Sequence, residues 1–454
     1  MPILHFAHAL LQTGWARDVA ITIDDGRIRS IATQVMCSPG MDKRAGVALP
    51  GTANVHSHAF QRAMAGLVET RGPEDDSFWT WREVMYRFLG AMTPDDIEAV
   101  AAWTYLEMLE AGFTAVGEFH YLHHAPEGRP YADIGETAGR IVNAAAATGI
   151  GLTLLPSFYA HGGCGGAAPK AGQKRFVNTL DQFARLMEAS RRHLQRHDGA
   201  HLGIAPHSLR AVDAPELRAL LAANPHGPVH IHAAEQAQEI KDCIDWSGAR
   251  PVQWLLDNAS VDARWCLIHA THMTPAETER LARSGAVAGL CPITEANLGD
   301  GIFNGTTYAA SGGQFAIGSD SNVRISLAEE LRQLESSQRL RDLKRNRLGP
   351  PGGSTGRFLF DAVSQGGAQA LGLDTGALAI GRRADIVALD SEHPALVGRS
   401  GDQLLDAWIF AAGDGCVRDV WVRGHPVVRD GRHIAREKLW PAFKRTVERL
   451  ASAG

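Results

Sequence analysis

The sequence has no hydrophobic run long enough to cross a bilayer, and its first residues lack the basic start and apolar run of a signal peptide. Its six cysteines are scattered without the close paired spacing of a zinc ribbon or a disulfide framework. With 45 basic and 50 acidic residues, the formal net charge of -5 gives no electrostatic footprint for nucleic acid or a membrane surface. We therefore expect a cytoplasmic protein that binds neither nucleic acid nor membrane and acts on a small molecule.

The glycine-rich run at residues 162–166 lacks the Lys-Ser/Thr pair of a phosphate-binding loop, so a loop without that role is the better interpretation. The 454 residues are enough for a barrel of roughly 250 residues or more and a smaller second domain. Strand-like runs alternate with helical patterns through the middle of the chain, which is typical of a parallel βα repeat. Both chain ends instead carry β-rich patterns, including a predicted hairpin around Asp24 and Gly26. Eight strands can be counted, ending at or near His58, His120, Tyr159, His207, His232, His269, Cys291 and Asp320.

Two histidines follow the first of these strands, after the turn Pro50-Gly51. His56 and His58 are one residue apart, so in an extended strand both side chains point to the same side of the pleat. Both imidazoles can then reach one cation. A pair of this kind can also be an ordinary pair of buried or surface histidines, so it is informative only in combination with other ligands.

Three later strands also end in residues that can bind a metal. His232 ends the fifth strand, His269 the sixth and Asp320 the eighth. The C-terminal ends of the strands are where a (β/α)8 barrel builds its active site. Three imidazoles, from His56, His58 and His232, and the Asp320 carboxylate would suit zinc, with one position left for a water whose pKa the metal lowers to about 7.

This order of residues resembles the amidohydrolase superfamily, specifically its mononuclear deaminase branch, over nearly the whole chain. The resemblance implies a (β/α)8 TIM barrel with a small β-sandwich domain built from both chain ends. We assign residues 1–49 and 373–454, including a terminal helix, to the sandwich domain and residues 50–372 to the barrel. Binuclear relatives carry a carboxylated lysine at the end of strand four, where residues 203–210 contain no lysine. One divalent metal ion per chain, zinc, is therefore expected.

The resemblance also implies catalytic roles. Glu235 would take a proton from the metal-bound water and deliver it to the departing nitrogen, which is general acid/base work. His269 would orient the water and polarise the leaving group, and Asp320 would accept a proton as well as bind the metal. The alternatives are a carboxylate at a helix N-terminus for Glu235 and a core histidine for His269. The implied reaction is hydrolytic release of ammonia from a C=N or amidine-like carbon.

Five further residues are candidates for binding the substrate. Because the arginine fork matches carboxylates, arginines near the pocket suggest a substrate with carboxylate groups, although surface salt bridges are the alternative. The candidates are Gln61, Arg82, Tyr121, His207 and Arg210.

Five segments narrow the resemblance to the formimidoylglutamate deiminases: HSHAFQR, FHYLHH, APHSLR, HAAEQ and GSDSN. That family implies conversion of N-formimino-L-glutamate and water into N-formyl-L-glutamate and ammonia in histidine degradation. We also expect a homodimer. A nucleobase deaminase such as guanine deaminase remains the alternative, as does, in a different class, a non-catalytic metal-stabilised binding scaffold.

Overall fold

The computed structural model describes residues 1–71 and 76–453. Within these residues the strands are β1 Ile3–Leu11, β2 Gly14–Asp24, β3 Arg27–Ala32, β4 Asp42–Pro50, β5 Thr52–Ser57, β6 Phe113–His120, β7 Gly151–Phe158, β8 His201–Leu202, β9 Ala205–Pro206, β10 Val229–Ala233, β11 Trp265–His269, β12 Val287–Leu290, β13 Gln314–Ile317, β14 Ile386–Leu389, β15 Val417–Val422, β16 His425–Arg429 and β17 Arg432–His433.

The helices of the same described residues alternate with the central strands. They are α1 Phe78–Leu89, α2 Pro94–Glu110, α3 Glu136–Thr148, α4 Leu180–Leu194, α5 Ala214–Ala223, α6 Ala237–Ser247, α7 Pro251–Asn258, α8 Pro275–Ser284, α9 Pro292–Leu298, α10 Gly305–Ala310, α11 Leu327–Asp342, α12 Thr355–Leu371, α13 Gln403–Ala411 and α14 Arg436–Ala453. Short 3₁₀ helices cover Ala59–Met64, Ala171–Gln173 and Asp414–Cys416. None of these helices is long and apolar enough to cross a membrane.

Strands β5 to β13 form a closed parallel barrel, with β8 and β9 together serving as its fourth strand. Parallel ladders join β5 to β8 on one side and β10 to β13 on the other. Parallel bridges from Ile204 to Val229 and from Ser57 to Asp320 connect the two halves. The predicted (β/α)8 barrel is confirmed, and strands such as β6 and β7 are buried on both faces, as is usual for parallel strands covered by helices.

Polar residues at the helix starts explain why several helices begin where they do. Thr93, Asp213 and Thr274 each accept a hydrogen bond from a backbone N–H in the first turn, and each is followed within two residues by a proline. Helix α4 begins at Leu180 because the Thr179 side chain accepts a hydrogen bond from the Gln182 N–H in its first turn.

The remaining strands form a second, eight-stranded sheet with the order β17-β16-β15-β14-β4-β1-β2-β3. Both chain ends therefore contribute, as predicted, and the expected hairpin is β2 paired with β3. Side chains from the two ends share one apolar core, in which Phe6 packs edge-on against Trp421 with ring centroids 5.8 Å apart. Backbone hydrogen bonds between neighbouring strands join all eight into one continuous sheet.

The terminal helix α14 lies against the barrel. Trp103 of α2 stacks on Phe443 of α14 with ring centroids 5.0 Å apart. Asp96 of α2 accepts hydrogen bonds from Thr446 and Arg449. The helix thus covers the outside of α2 and ties the end of the chain to the barrel.

Candidate metal centre and active site

Four side chains at the C-terminal ends of the barrel strands meet in one buried cluster: His56, His58, His232 and Asp320. The Asp320 Oδ1 atom lies 3.4 Å from His56 Nε2 and 3.5 Å from His58 Nε2. His232 Nε2 lies 3.1 Å from His56 Nε2. The structure therefore brings together the four residues that the sequence analysis named as metal ligands.

Hydrogen bonds on the outer side of the cluster assign the tautomers of two histidines. His58 Nδ1 donates to the carbonyl of Phe119 at 2.8 Å, and His232 Nδ1 donates to the carbonyl of His207 at 3.0 Å. Both Nε2 lone pairs then point into the cluster, which is how proteins orient metal-binding histidines. Burial lowers the pKa of His56 to about 3, so it too is neutral at pH 7. Neutral imidazole nitrogens and a carboxylate that converge in this way are a donor set that fits a divalent ion such as zinc.

The Asp320 carboxylate is ionised. Although burial favours the protonated form, contacts with His56, His269 and His58 hold the pKa of Asp320 below its ordinary value. Its backbone has a φ of +46°, in the left-handed region that non-glycine residues seldom adopt. Strain of this kind persists only where the surroundings enforce it.

A buried amide and hydroxyl network enforces that turn. Asn54 exchanges hydrogen bonds with Ser319, whose hydroxyl donates to Asn322 at 2.6 Å. The Asn322 amide donates to the carbonyls of His58 and Asp320 at 3.2 and 3.0 Å. The first and eighth strands of the barrel, β5 and β13, are thereby joined at the ends that carry the candidate metal-binding side chains.

The end of the eighth barrel strand, β13, also needs a glycine next to this turn. A Cβ on Gly318 would lie 2.6 Å from the Cβ of His56 and 2.8 Å from its carbonyl oxygen. Only glycine allows the two strands to approach this closely. The segment Gly318-Ser319-Asp320 therefore places the carboxylate directly beside the first histidine.

Glu235 lies on the loop that follows β10, the fifth strand of the barrel. Its side chain is buried. Its Oε2 accepts a hydrogen bond from Arg210 at 3.0 Å, and its Oε1 lies 3.8 Å from His269 Nε2. The Glu239 carboxylate accepts the backbone N–H groups of Ala234 and Glu235, which holds the loop in place. Glu235 is thus oriented between a guanidinium group and an imidazole.

His269 sits among three carboxylates. Its Nδ1 contacts Glu295 Oε1 at 3.2 Å, and its Nε2 lies 3.8 Å from both Glu235 and Asp320. Burial opposes protonation, but Glu295, Glu235 and Asp320 outweigh it and raise the pKa of His269 to about 10. No hydrogen-bond partner for Nε2 is found among the described residues, so this buried N–H is free to meet a reacting group.

A cavity of about 400 Å³ opens above this cluster. All five side chains proposed to bind substrate line it, as does Glu235. His58, His232 and Asp320 of the cluster also line the cavity. The substrate-binding candidates are Gln61, Arg82, Tyr121, His207 and Arg210.

Gln61 and Tyr121 form a pair in the wall, with the amide of Gln61 donating to the Tyr121 hydroxyl at 3.0 Å. The Gln61 carbonyl oxygen is buried and has no hydrogen-bond partner in the part of the chain that the structure describes. Burial, then the nearby Arg210 charge, lowers the pKa of His207, which is therefore a neutral imidazole. These groups offer hydrogen bonds without adding charge.

The two arginines differ in their partners. Arg210 is already bonded to Glu235 through one nitrogen, while Arg82 lies over the Trp79 ring at 4.5 Å. The first contact, in which a candidate substrate-binding group also holds the candidate base, was not predicted from the sequence. Nor were roles for Arg62 and Asn322, although they lie in the segments HSHAFQR and GSDSN.

Comparison with known proteins agrees with this geometry. A profile of the amidohydrolase family matches residues 47–427, and the profile of the N-terminal domain of formimidoylglutamate deiminase HutF matches residues 1–45. The chain is 52% identical to the formimidoylglutamate deiminase of Pseudomonas aeruginosa over 99% of this chain and 100% of the relative. The chain belongs to the formimidoylglutamate deiminases of the amidohydrolase family.

Other known proteins also match this chain. A 5-methylthioadenosine/S-adenosylhomocysteine deaminase of Halobacterium salinarum is 26% identical over 84% of this chain and 81% of its own. The crystal structure of an amidohydrolase from Brucella melitensis superposes with a TM-score of 0.96 at 54% identity, covering 99% of this chain and 100% of that one. An adenosine deaminase from Xanthomonas campestris with bound zinc has a TM-score of 0.82 at 20% identity, covering 99% and 98% of the two chains. That last likeness concerns the fold alone.

Proposed function

We propose that this chain hydrolyses N-formimino-L-glutamate to N-formyl-L-glutamate and ammonia, using one bound zinc ion and the residues of the barrel mouth. The observation that carries the proposal is one cavity in which the metal-capable cluster, Glu235 and two guanidinium groups meet. The 52% identity to a formimidoylglutamate deiminase supports the choice of substrate.

His56, His58, His232 and Asp320 would hold the metal. When bound, a divalent ion acts as a Lewis acid and makes a water nucleophilic at neutral pH. The donor set supports this assignment, because buried imidazole nitrogens and a carboxylate oxygen meet within a few ångströms.

Glu235 would accept a proton from the attacking water and deliver it to the nitrogen that leaves as ammonia. Its position supports this role, since its Oε1 faces His269 while Arg210 holds its Oε2. The buried imidazole of His269, which carries a proton, would hydrogen-bond the reacting centre. Asp320 would take up a proton as the tetrahedral centre collapses.

Arg82 and Arg210 would bind the carboxylates of the glutamate moiety, and Gln61, Tyr121 and His207 would complete the pocket. Both guanidinium groups have a buried N–H without a hydrogen-bond partner among the described residues, Nε of Arg82 and NH1 of Arg210. A buried donor without a partner is costly, so a ligand that supplies an acceptor is favoured here. A nucleobase would offer no carboxylate to these two groups.

The direct test is turnover by the purified, zinc-loaded chain. Ammonia release would be measured with N-formimino-L-glutamate, formiminoglycine, guanine and adenosine, and the acyl product would be identified by mass spectrometry. We expect ammonia and N-formyl-L-glutamate from the first substrate, with the highest kcat/KM. Preferential deamination of guanine or adenosine would instead favour the nucleobase alternative, and metal binding without turnover of any substrate would favour the scaffold alternative.

A further inference from the structure

Phe78 contacts both arginines of the cavity through one ring. It is the first residue of α1, is 8% exposed and lines the cavity wall. The guanidinium carbon of Arg82 lies 5.8 Å from the Phe78 ring centroid, and that of Arg210 lies 5.9 Å from the same centroid. The two cations come from separate parts of the chain, yet they share one aromatic ring.

The ring carries no negative charge and so contacts both cations without neutralising them, while Arg210 is also ion-paired with Glu235 at 3.0 Å. A guanidinium group is attracted to the face of an aromatic ring, and the attraction grows when water is excluded. Arg82 is also flanked by Trp79 at 4.5 Å and Tyr86 at 5.6 Å. The rings therefore position the charged groups while leaving N–H donors for a ligand.

We propose that Phe78 sets the separation of the two guanidinium groups and thereby the length of the dicarboxylate that the site accepts. The proposal rests on the proposed function, in which Arg82 and Arg210 bind the two carboxylates. A dicarboxylate bridges two cations well only when its carboxylates match their separation. A ring that contacts both guanidinium groups holds each at a fixed distance from the same centroid, so we expect a diacid shorter by one methylene to fit the pair less well.

Phe176 provides a matched control, because it is another buried phenylalanine in the wall of the same cavity. Its ring packs on Tyr121, with centroids 4.9 Å apart, and on Tyr86 and Tyr159. No cation–ring contact of Phe176 is found among the described residues. Removing its ring therefore perturbs the wall without disturbing the spacing of the arginines.

The experiment compares zinc-loaded wild type with Phe78→Leu, Phe78→Tyr and Phe176→Leu. The ligands are N-formyl-L-glutamate and the shorter N-formyl-L-aspartate, which bind without reacting, and their Kd values would be measured by calorimetry. Thermal unfolding and zinc content would verify that each variant is folded and loaded. The kcat/KM ratio for the two corresponding formimino substrates provides a second readout.

We expect wild type to prefer the glutamate compound, and Phe78→Leu to reduce that preference by about three- to thirtyfold, the range of a lost cation–ring contact. Phe78→Tyr keeps the ring and should keep the preference, and Phe176→Leu should weaken both ligands by the same factor. An unchanged preference in Phe78→Leu, or an equal loss of preference in Phe176→Leu, would overturn the spacing role. Failure of wild type to release ammonia from N-formimino-L-glutamate would instead refute the proposed function, and the binding measurements still decide the role of the ring.

Discussion

Glu235 combines two contacts that suit a proton carrier, one to a guanidinium group and one to an imidazole. Glu235→Gln keeps the size of the side chain and an oxygen for Arg210 but removes the base. Turnover should fall by roughly two to four orders of magnitude while zinc stays bound. Steady-state kinetics and elemental analysis on the same preparation would check this.

A neighbouring carboxylate serves as the control for that substitution. Glu239 is also buried, but the hydrogen bonds that it accepts come from backbone N–H groups. Glu239→Gln replaces one of the two acceptor oxygens by an N–H donor and loosens the loop but leaves the base in place, so it should cost less activity than Glu235→Gln. A zinc-loaded Glu235→Gln enzyme with wild-type turnover would remove this carboxylate from the mechanism.

Arg82 and Arg210 should respond differently to the same change. Replacing either by Met removes a charge-assisted pair worth about 1.5 to 3 kcal/mol, or about tenfold to a hundredfold in kcat/KM for N-formimino-L-glutamate. Arg210→Met also releases Glu235, so its loss should extend to formiminoglycine. The loss in Arg82→Met should be confined to substrates whose carboxylate it contacts.

Comparing N-formimino-L-glutamate with formiminoglycine in both variants checks this pair of expectations. Equal losses on both substrates for both variants would mean that the arginines support the fold rather than contact the substrate. The carboxylate-binding role would then have no support from kinetics.

At the scale of elements, the active site depends on how the loops after strands one and eight are held together. Arg62 follows His58 in the first of these loops. Its NH1 donates to the carbonyls of Asn322 and Val323 at 3.0 Å each. Its remaining nitrogens bind Glu107 of α2 at 2.7 and 3.1 Å. One side chain thus ties two ligand-bearing segments to a barrel helix.

Arg62→Gln should loosen this connection and lower zinc affinity by about tenfold to a hundredfold, the range seen when groups behind metal ligands are removed. Chelator competition would measure the affinity. Arg140→Gln is a suitable control, because Arg140 has a similar side-chain exposure, 30% against 22%, and binds Asp95, Glu98 and Glu136 away from the cluster. A zinc affinity that is equal in both variants would refute the connecting role of Arg62.

For the whole molecule, the proposed metal ligands come from the first, fifth and eighth strands of a closed barrel. A bound ion would therefore connect both halves of the barrel and stabilise the folded state over the unfolded chain. We expect close to one zinc ion per chain and a lower Tm after chelation, restored by added zinc. Elemental analysis and thermal unfolding would check both, and two ions per chain would contradict the mononuclear site. The assignment of a homodimer stays a prediction, which light scattering would test.

The sequence predicted the barrel and its candidate ligands because the relevant signals are local. Each βα unit ends its strand with a polar residue after an apolar run, as at His232 and His269, and parallel strands bring such ends to one face. The absence of a lysine in residues 203–210, which predicts one metal ion and not two, is also visible in the sequence. A terminal helix was also foreseen, but not its packing on α2, since that contact is not encoded in its own periodicity.

What the sequence by itself determined is therefore which side chains arrive at the mouth of the barrel. The tertiary structure decided what each one contacts. Arg210 is paired with Glu235, Phe78 contacts two arginines, and Asn54 bonds to Ser319, 265 residues away. The physical reason is range: periodicity and turn residues describe neighbours along the chain, whereas these hydrogen bonds and ring contacts form only after the barrel has closed and brought distant loops together.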